Sequence, residues 1–185
     1  MPSLILPYRG VTPRIHPDAF VAETATIIGD VEIGPRASIW YGCVLRGDVN
    51  KIRVGAGTNL QDGTIVHVNH DRNGDYRQTG GGMPTLIGDN VTVGHQVLIH
   101  ACTIESDAFI GMAAVVMDGA LVEGQAMVAA GALVTPGKKV AKRELWGGRP
   151  AKLMRALSEE ELADLPYLAE HYQETAASYL AERRG

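Results

Sequence analysis

The sequence predicts an all-β solenoid, a parallel β-helix built from six-residue units, followed by a C-terminal α-helix. Three observations predict it. An aliphatic residue recurs at every sixth position across most of the chain. A small or slim residue sits four positions after each of them. Aromatic residues make up only 5% of the chain while glycines number 22, so the core must come from many thin layers rather than a few bulky rings.

The first run reads Ile15, Val21, Ile27, Ile33, Ile39 and Leu45, with Ala19, Ala25, Val31, Ala37, Cys43 and Val49 in the slim slot. It resumes at Val54, Leu60 and Val66, with Thr58 and Thr64 as the slim partners. After an interruption it returns at Ile87, Val93 and Ile99, with Val91, Val97 and Thr103. It then slips by one residue and continues through Ile104, Ile110, Val116, Val122, Val128 and Val134, with Ala108, Ala114, Ala120, Ala126 and Ala132. Ordinary amphipathic strands would show period two broken by variable turns, and period six would not persist. Each unit is a short strand plus a corner, and three units close one triangular coil. The aliphatic residue fills the prism and the slim residue sits where the chain turns, so Cys43 is expected to be buried and inert.

Two segments leave the repeat. Residues 69–84 form a polar, glycine-rich excursion of a length that is usually functional or disordered. From Ser158 the chain reads as helix: Ser158 and Glu161 match a capping box, and Glu159 and Glu160 suit the positive end of the dipole. Pro166 is expected to break or kink that helix. The predicted organisation is therefore a β-helix domain over 1–157 and a helix over 158–185 packed on its outside.

Composition narrows the function classes. A net charge of −4 gives no basic stripe for nucleic acid. Two cysteines without CxxC spacing give no disulfide framework and fit a reducing cytoplasm. Residues 1–6 lack the basic and apolar regions of a signal peptide, and no run reaches the ~20 apolar residues of a membrane span.

Among six histidines, His16 and His171 read as surface residues and His70 belongs to the excursion. His67, His95 and His100 form the informative set. If Val54, Leu60 and Val66 make one coil and Ile87, Val93 and Ile99 the next, Val66 lies against Ile99. His67 and His100 then point outward from one face, on strands ~4.8 Å apart. His95 follows Val93 on a different face, five extended residues or roughly 16 Å from His100. A shared metal needs each imidazole nitrogen ~2 Å away, so one chain cannot place all three on one ion. A neighbour related by threefold symmetry can supply the third, giving a homotrimer with shared sites. The alternatives are solvated histidines, or His95 as a general base in a cleft.

Around these residues the sequence resembles the γ-class carbonic anhydrases of the hexapeptide-repeat superfamily, over nearly its whole length. The matching stretches are Arg46-Gly47-Asp48, residues 59–68 (NLQDGTIVHV), residues 93–100 (VGHQVLIH), Ile110-Gly111-Met112 and residues 148–152 (GRPAK). The resemblance implies a left-handed helix, reversible hydration of carbon dioxide by a metal-bound hydroxide at trimer interfaces, and zinc as the metal; the imidazole set also suits iron, cobalt or nickel. It implies His67 and His100 as ligands from one subunit and His95 as the ligand from the next. Gln61 is similar to the residue that hydrogen-bonds the hydroxide, and Arg46 and Asp48 to an interface pair that orders the site. Asp62 falls beneath His95 and is placed to orient its imidazole or a partner's arginine. Tyr172 aligns with a family tyrosine near the site, with Tyr167 as its competitor.

The chain departs from the family archetype in its proton relay. Val49 stands where the archetype has an acidic residue, and the excursion offers only His70, Asp71 and Asp75. Low turnover is expected. Two other readings follow: a CoA-dependent acyltransferase on the same fold, with one histidine as base, and a non-catalytic trimeric metal-binding scaffold.

Overall fold

A computed structural model describes residues 4–183, so the outermost residues of both expected segments, 1–3 and 184–185, lie outside it. The chain winds as a left-handed parallel β-helix of short strands, ended by a C-terminal helix. Parallel pairing stacks the sixth-position aliphatics into three columns. The first face carries Ile27, Leu45, Val66, Ile99, Val116 and Val134. The second carries Ile15, Ile33, Val54, Ile87, Ile104, Val122 and Val140. The third carries Val21, Ile39, Leu60, Val93, Ile110, Val128 and Trp146. All are buried except Ile15, Val21 and Trp146 near the ends of the stack, which are partly buried.

The expected slim slot needs two corrections. Val49 is only half-buried and Thr103 faces partly outward, whereas Ile52 and Cys102 are buried. The physical reason is register. Leu45 and Val54 are in register with Ile27 and Ile33, so the strand Val44–Val54 carries three residues more than its neighbour Thr26–Ile33. The slot keeps its distance from the aliphatic that follows it, two residues back, and not from the one that precedes it. The same rule moves the slot to Cys102 where the repeat slips before Ile104.

These irregularities gather at one corner, between the first and second faces. Thr26–Ile33 and Val44–Val54 run through it unbroken and join the two faces in one sheet. Gly29 turns there at φ +74°, against the carbonyl of Gly47, where no side chain fits. The excursion 69–84 leaves from the same corner. A bridge between Asn69 and Met83 closes its neck, and Asn50 Nδ2 donates to Asn69 O (3.1 Å) and Gly81 O (3.2 Å). Within it, Asp75 caps a single helical turn, Tyr76–Thr79, and the Tyr76 hydroxyl donates to Asp30 Oδ2 at 2.7 Å.

The strand Ala151–Ala156 turns back antiparallel on Glu144–Gly148 at the last coil. The helix Glu159–Glu182 then crosses the third face. Its start matches the sequence: Ser158 and Glu161 form a complete capping box. Pro166 does not break it. The lost N–H leaves the helix intact because Leu165, Ala169 and Ala176 are buried along its length. Beneath it Phe20 and Trp40 pack together with ring centroids 4.9 Å apart, and the helix's own Tyr172 and Tyr179 meet them edge-on at 5.3–5.6 Å. Among the described residues, no helix is long and apolar enough to cross a membrane.

Candidate metal centre

The register puts His67 directly beside His100 on the first face. Their rings are 5.2 Å apart between centroids, and His67 Nδ1 lies 3.2 Å from His100 Nε2. The opposite nitrogen of each ring meets a carboxylate. His67 Nε2 is 2.9 Å from Asp48 Oδ1, and His100 Nδ1 is 3.1 Å from Asp118 Oδ2. Asp48 reaches His67 because the three-residue insertion in Val44–Val54 bulges the chain at that point. Arg46, next to Leu45 in the column beside His67, closes an ion pair with Asp48.

The electrostatics follow from this packing. Burial alone would lift the Asp48 carboxyl, but hydrogen bonds from His67 and Arg46 outweigh it and hold it below the ordinary carboxylate value. Burial lowers the pKa of His67, and the charge of Arg46 adds to that, against the pull of Asp48. A neutral His67 that donates Nε2–H to Asp48 satisfies both shifts. When His100 likewise donates Nδ1–H to Asp118, the two remaining nitrogens turn lone pairs toward the same point. Lone pairs 3.2 Å apart repel unless a cation lies between them. Two metal–nitrogen bonds of ~2.0–2.1 Å at a tetrahedral angle span about 3.3 Å, so the donor pair fits a zinc-like ion.

His95 is elsewhere, at the corner between the third and first faces. Gln96 follows it in the left-handed region (φ +59°), turning the chain onto the first face. One coil away, Asp62 and Gly63 occupy the same corner, and Gln96 N donates to Asp62 O. His95 Nδ1 is 2.9 Å from Asp62 Oδ2. Gln61 is buried beside them, its Nε2 donating to Asn59 Oδ1 at 3.1 Å, which leaves the amide oxygen as a free acceptor. Tyr172, together with Trp40, Tyr41 and His171, lines a cleft that also includes Asp62. Burial, with Asp62 adding, raises the pKa of Tyr172. Tyr167 does not line this cleft; it is exposed and stacks on His171.

The structure thus brings the site residues together as two halves. His67, His100, Arg46 and Asp48 sit at one corner; His95, Asp62, Gln61 and Tyr172 sit at another. Among the described residues, no three His, Cys, Asp or Glu side chains within one chain are arranged to hold a metal ion. Sequence reasoning missed Asp118 and Asn69. The signal was available, because Ile99 pairs with Val116 and so brings Asp118 to the corner of His100.

No family model matches the chain. Among curated proteins it is 52% identical over 171 residues to "Gamma carbonic anhydrase 2, mitochondrial" of Arabidopsis thaliana, covering 92% of this chain but 60% of the plant protein. It is 39% identical over 178 residues to "Carbonic anhydrase" of Geobacillus kaustophilus, covering 96% of this chain and 92% of that one. Among solved structures, a hexapeptide transferase family protein from Anaplasma phagocytophilum matches with a TM-score of 0.87 and 49% identity, over 96% of this chain and 98% of the other. With these likenesses running through the coil and both half-sites, the chain belongs to the γ-carbonic-anhydrase-like family of hexapeptide-repeat proteins.

Proposed function

We propose that the protein is a metal-dependent carbonic anhydrase that works as a homotrimer, with His67 and His100 of one subunit and His95 of the next holding each metal. One observation carries the reading: two carboxylate-anchored imidazoles aim nitrogens 3.2 Å apart at a common point, while the third histidine stands at another corner on its own carboxylate. The surface beside the first pair supports a neighbouring copy. The outward row Val44, Ile65, Leu98, Val115 and Leu133 is apolar, and Ile65 and Leu98 are 46% and 39% exposed.

Zinc held by three histidines lowers the pKa of a bound water to near neutrality, which supplies the nucleophile for carbon dioxide; iron, cobalt or nickel suits the same ligands. The chain's own residues do the rest. Asp48 and Asp62 orient His67 and His95. Gln61 Oε1, its amide anchored on Asn59, accepts a hydrogen bond from the reacting water and so orients it. Arg46 offers its guanidinium to the bicarbonate that forms. Tyr172 and Asp62 line the approach. Because Val49 supplies no acid beside Asp48, release of the proton limits turnover.

Mixing variants tests the shared site. His95→Ala keeps one half and His100→Ala keeps the other, so neither alone binds metal. Trimers dissociated together and reassembled recover metal and carbon dioxide hydration at the mixed interfaces. If mixing restores nothing while each variant remains trimeric, the division between subunits is wrong. Turnover that rises with added imidazole buffer is the expected sign of slow proton release.

A CoA-dependent acyltransferase is the second reading, favoured by the transferase family of the matching Anaplasma structure. It requires one histidine and an acyl-CoA site. Acetyl-CoA binding without stoichiometric metal would decide for it. Stoichiometric metal without turnover on carbon dioxide would instead leave a trimeric metal-binding scaffold.

A further inference from the structure

Each of the three histidines has its own carboxylate: His67 with Asp48, His95 with Asp62, and His100 with Asp118. The first two carboxylates belong to the motifs that carry the family resemblance. Asp118 does not. It lies two residues past Val116, one coil beyond His100, and reaches back across the corner between the first and second faces. We propose that Asp118 is the positioning residue for His100, fixing the tautomer that leaves Nε2 free to bind metal, and that it ties this imidazole to the base of the excursion 69–84.

The geometry assigns both tasks to one side chain. Asp118 Oδ2 faces His100 Nδ1 at 3.1 Å, so Nδ1 carries the proton and Nε2 presents its lone pair toward His67 Nδ1. A free imidazole would have no such constraint, and a proton on Nε2 would block the donor position. Asp118 Oδ1 accepts from Asn69 Nδ2 at 2.9 Å, which stops the carboxylate from rotating away. Asn69 is itself held, its carbonyl accepting from Asn50 and its backbone bridging Met83 at the neck. The neck of the excursion, the carboxylate and the imidazole therefore form one chain of hydrogen bonds. The Thr85 hydroxyl fixes the other histidine's backbone from the same side, donating to His67 O at 2.5 Å and accepting from Ala101 N at 2.9 Å.

The inference rests on the metal reading for its consequence but not for its geometry, so the test has two arms. In the metal-free trimer, ¹⁵N-resolved imidazole NMR reports the tautomer of His100. Wild type is expected to show Nδ1–H, and Asp118→Ala to revert toward the Nε2–H form that predominates in free imidazole side chains. Competition with a chelator then reads affinity: Asp118→Ala is expected to weaken metal binding by about 10- to 100-fold with the trimer intact. Asp118→Asn, whose amide oxygen still accepts from Nδ1–H, is expected to restore much of the tautomer and part of the affinity, and it serves if the alanine variant misfolds. A wild type that shows Nε2–H, or an alanine variant with unchanged tautomer and affinity, would overturn the proposal. A wild type that holds Nδ1–H through Asp118 yet takes up no metal would sink the metal reading and leave the positioning role standing.

Discussion

Cys43 shows how one residue reports on the register. It fills an inward slot with no exposure, its Sγ lying 3.4 Å and 3.2 Å from the carbonyls of Leu60 and Gln61. Burial pushes its thiol up to about 11. The folded protein is therefore expected to leave Cys43 unlabelled by a thiol reagent at pH 8 and to react only on unfolding; rapid labelling of the native state would contradict the slot. His67, His95 and His100 were legible in the same way, since counting by six assigns each an outward direction and a face. Asp118 was harder to see because its partner lies a coil away and its own neighbours, Met117 and Gly119, look like any turn. Val49 and Thr103 were misplaced by counting forward across insertions, where the native register is kept by counting back from the next aliphatic.

At the level of elements, the long helix was legible from its capping box and acidic first turn, but its continuity through Pro166 was not. Propensity weighs a proline at about 3 kcal/mol against an isolated helix, and this helix is not isolated. The sequence alone did not say how firmly its buried side would dock on the third face. Its start is pinned by charge: Arg155, then the Ser158 N–H, hold the Glu161 carboxyl down at about 2. The sign follows directly. A carboxylate lowered in the folded state contributes stability that is present above its ordinary value of 4.5 and fades as the pH falls toward 2. Acid titration is thus expected to loosen the start of the helix between those limits, read as faster hydrogen exchange of the Glu161 amide, which donates to Ser158 Oγ at 3.1 Å. Glu161→Gln should flatten that dependence, and an unchanged acid profile in the variant would assign the effect elsewhere.

The whole molecule is a stack in which each coil touches its neighbours, so local insertions change what stands on a corner without disturbing the prism. That is why period six exposed the architecture at once, while the details that matter for chemistry came from its interruptions. The outward apolar row on the first face belongs to the same scale. Leu98→Glu, beside His100, is expected to leave the coil folded, because Leu98 points away from the core, and to convert the proposed trimer to monomers by light scattering. Metal should be lost with the oligomer. A variant that stays trimeric and metal-replete would move the interface to another face.

The clamped neck at Asn69 and Met83 has one more consequence. Because the polypeptide departs from the prism and rejoins it through a single fastened gateway, the rungs on either side meet in register across it, and beyond it Tyr76 ties the segment back to Asp30. Segments of other lengths and chemistries that keep the Asn69–Met83 bridge are expected to leave the stack in register. The gateway residue is also wired to His100 through Asp118, so such segments would be delivered to the rim of the proposed metal-binding corner rather than to idle surface.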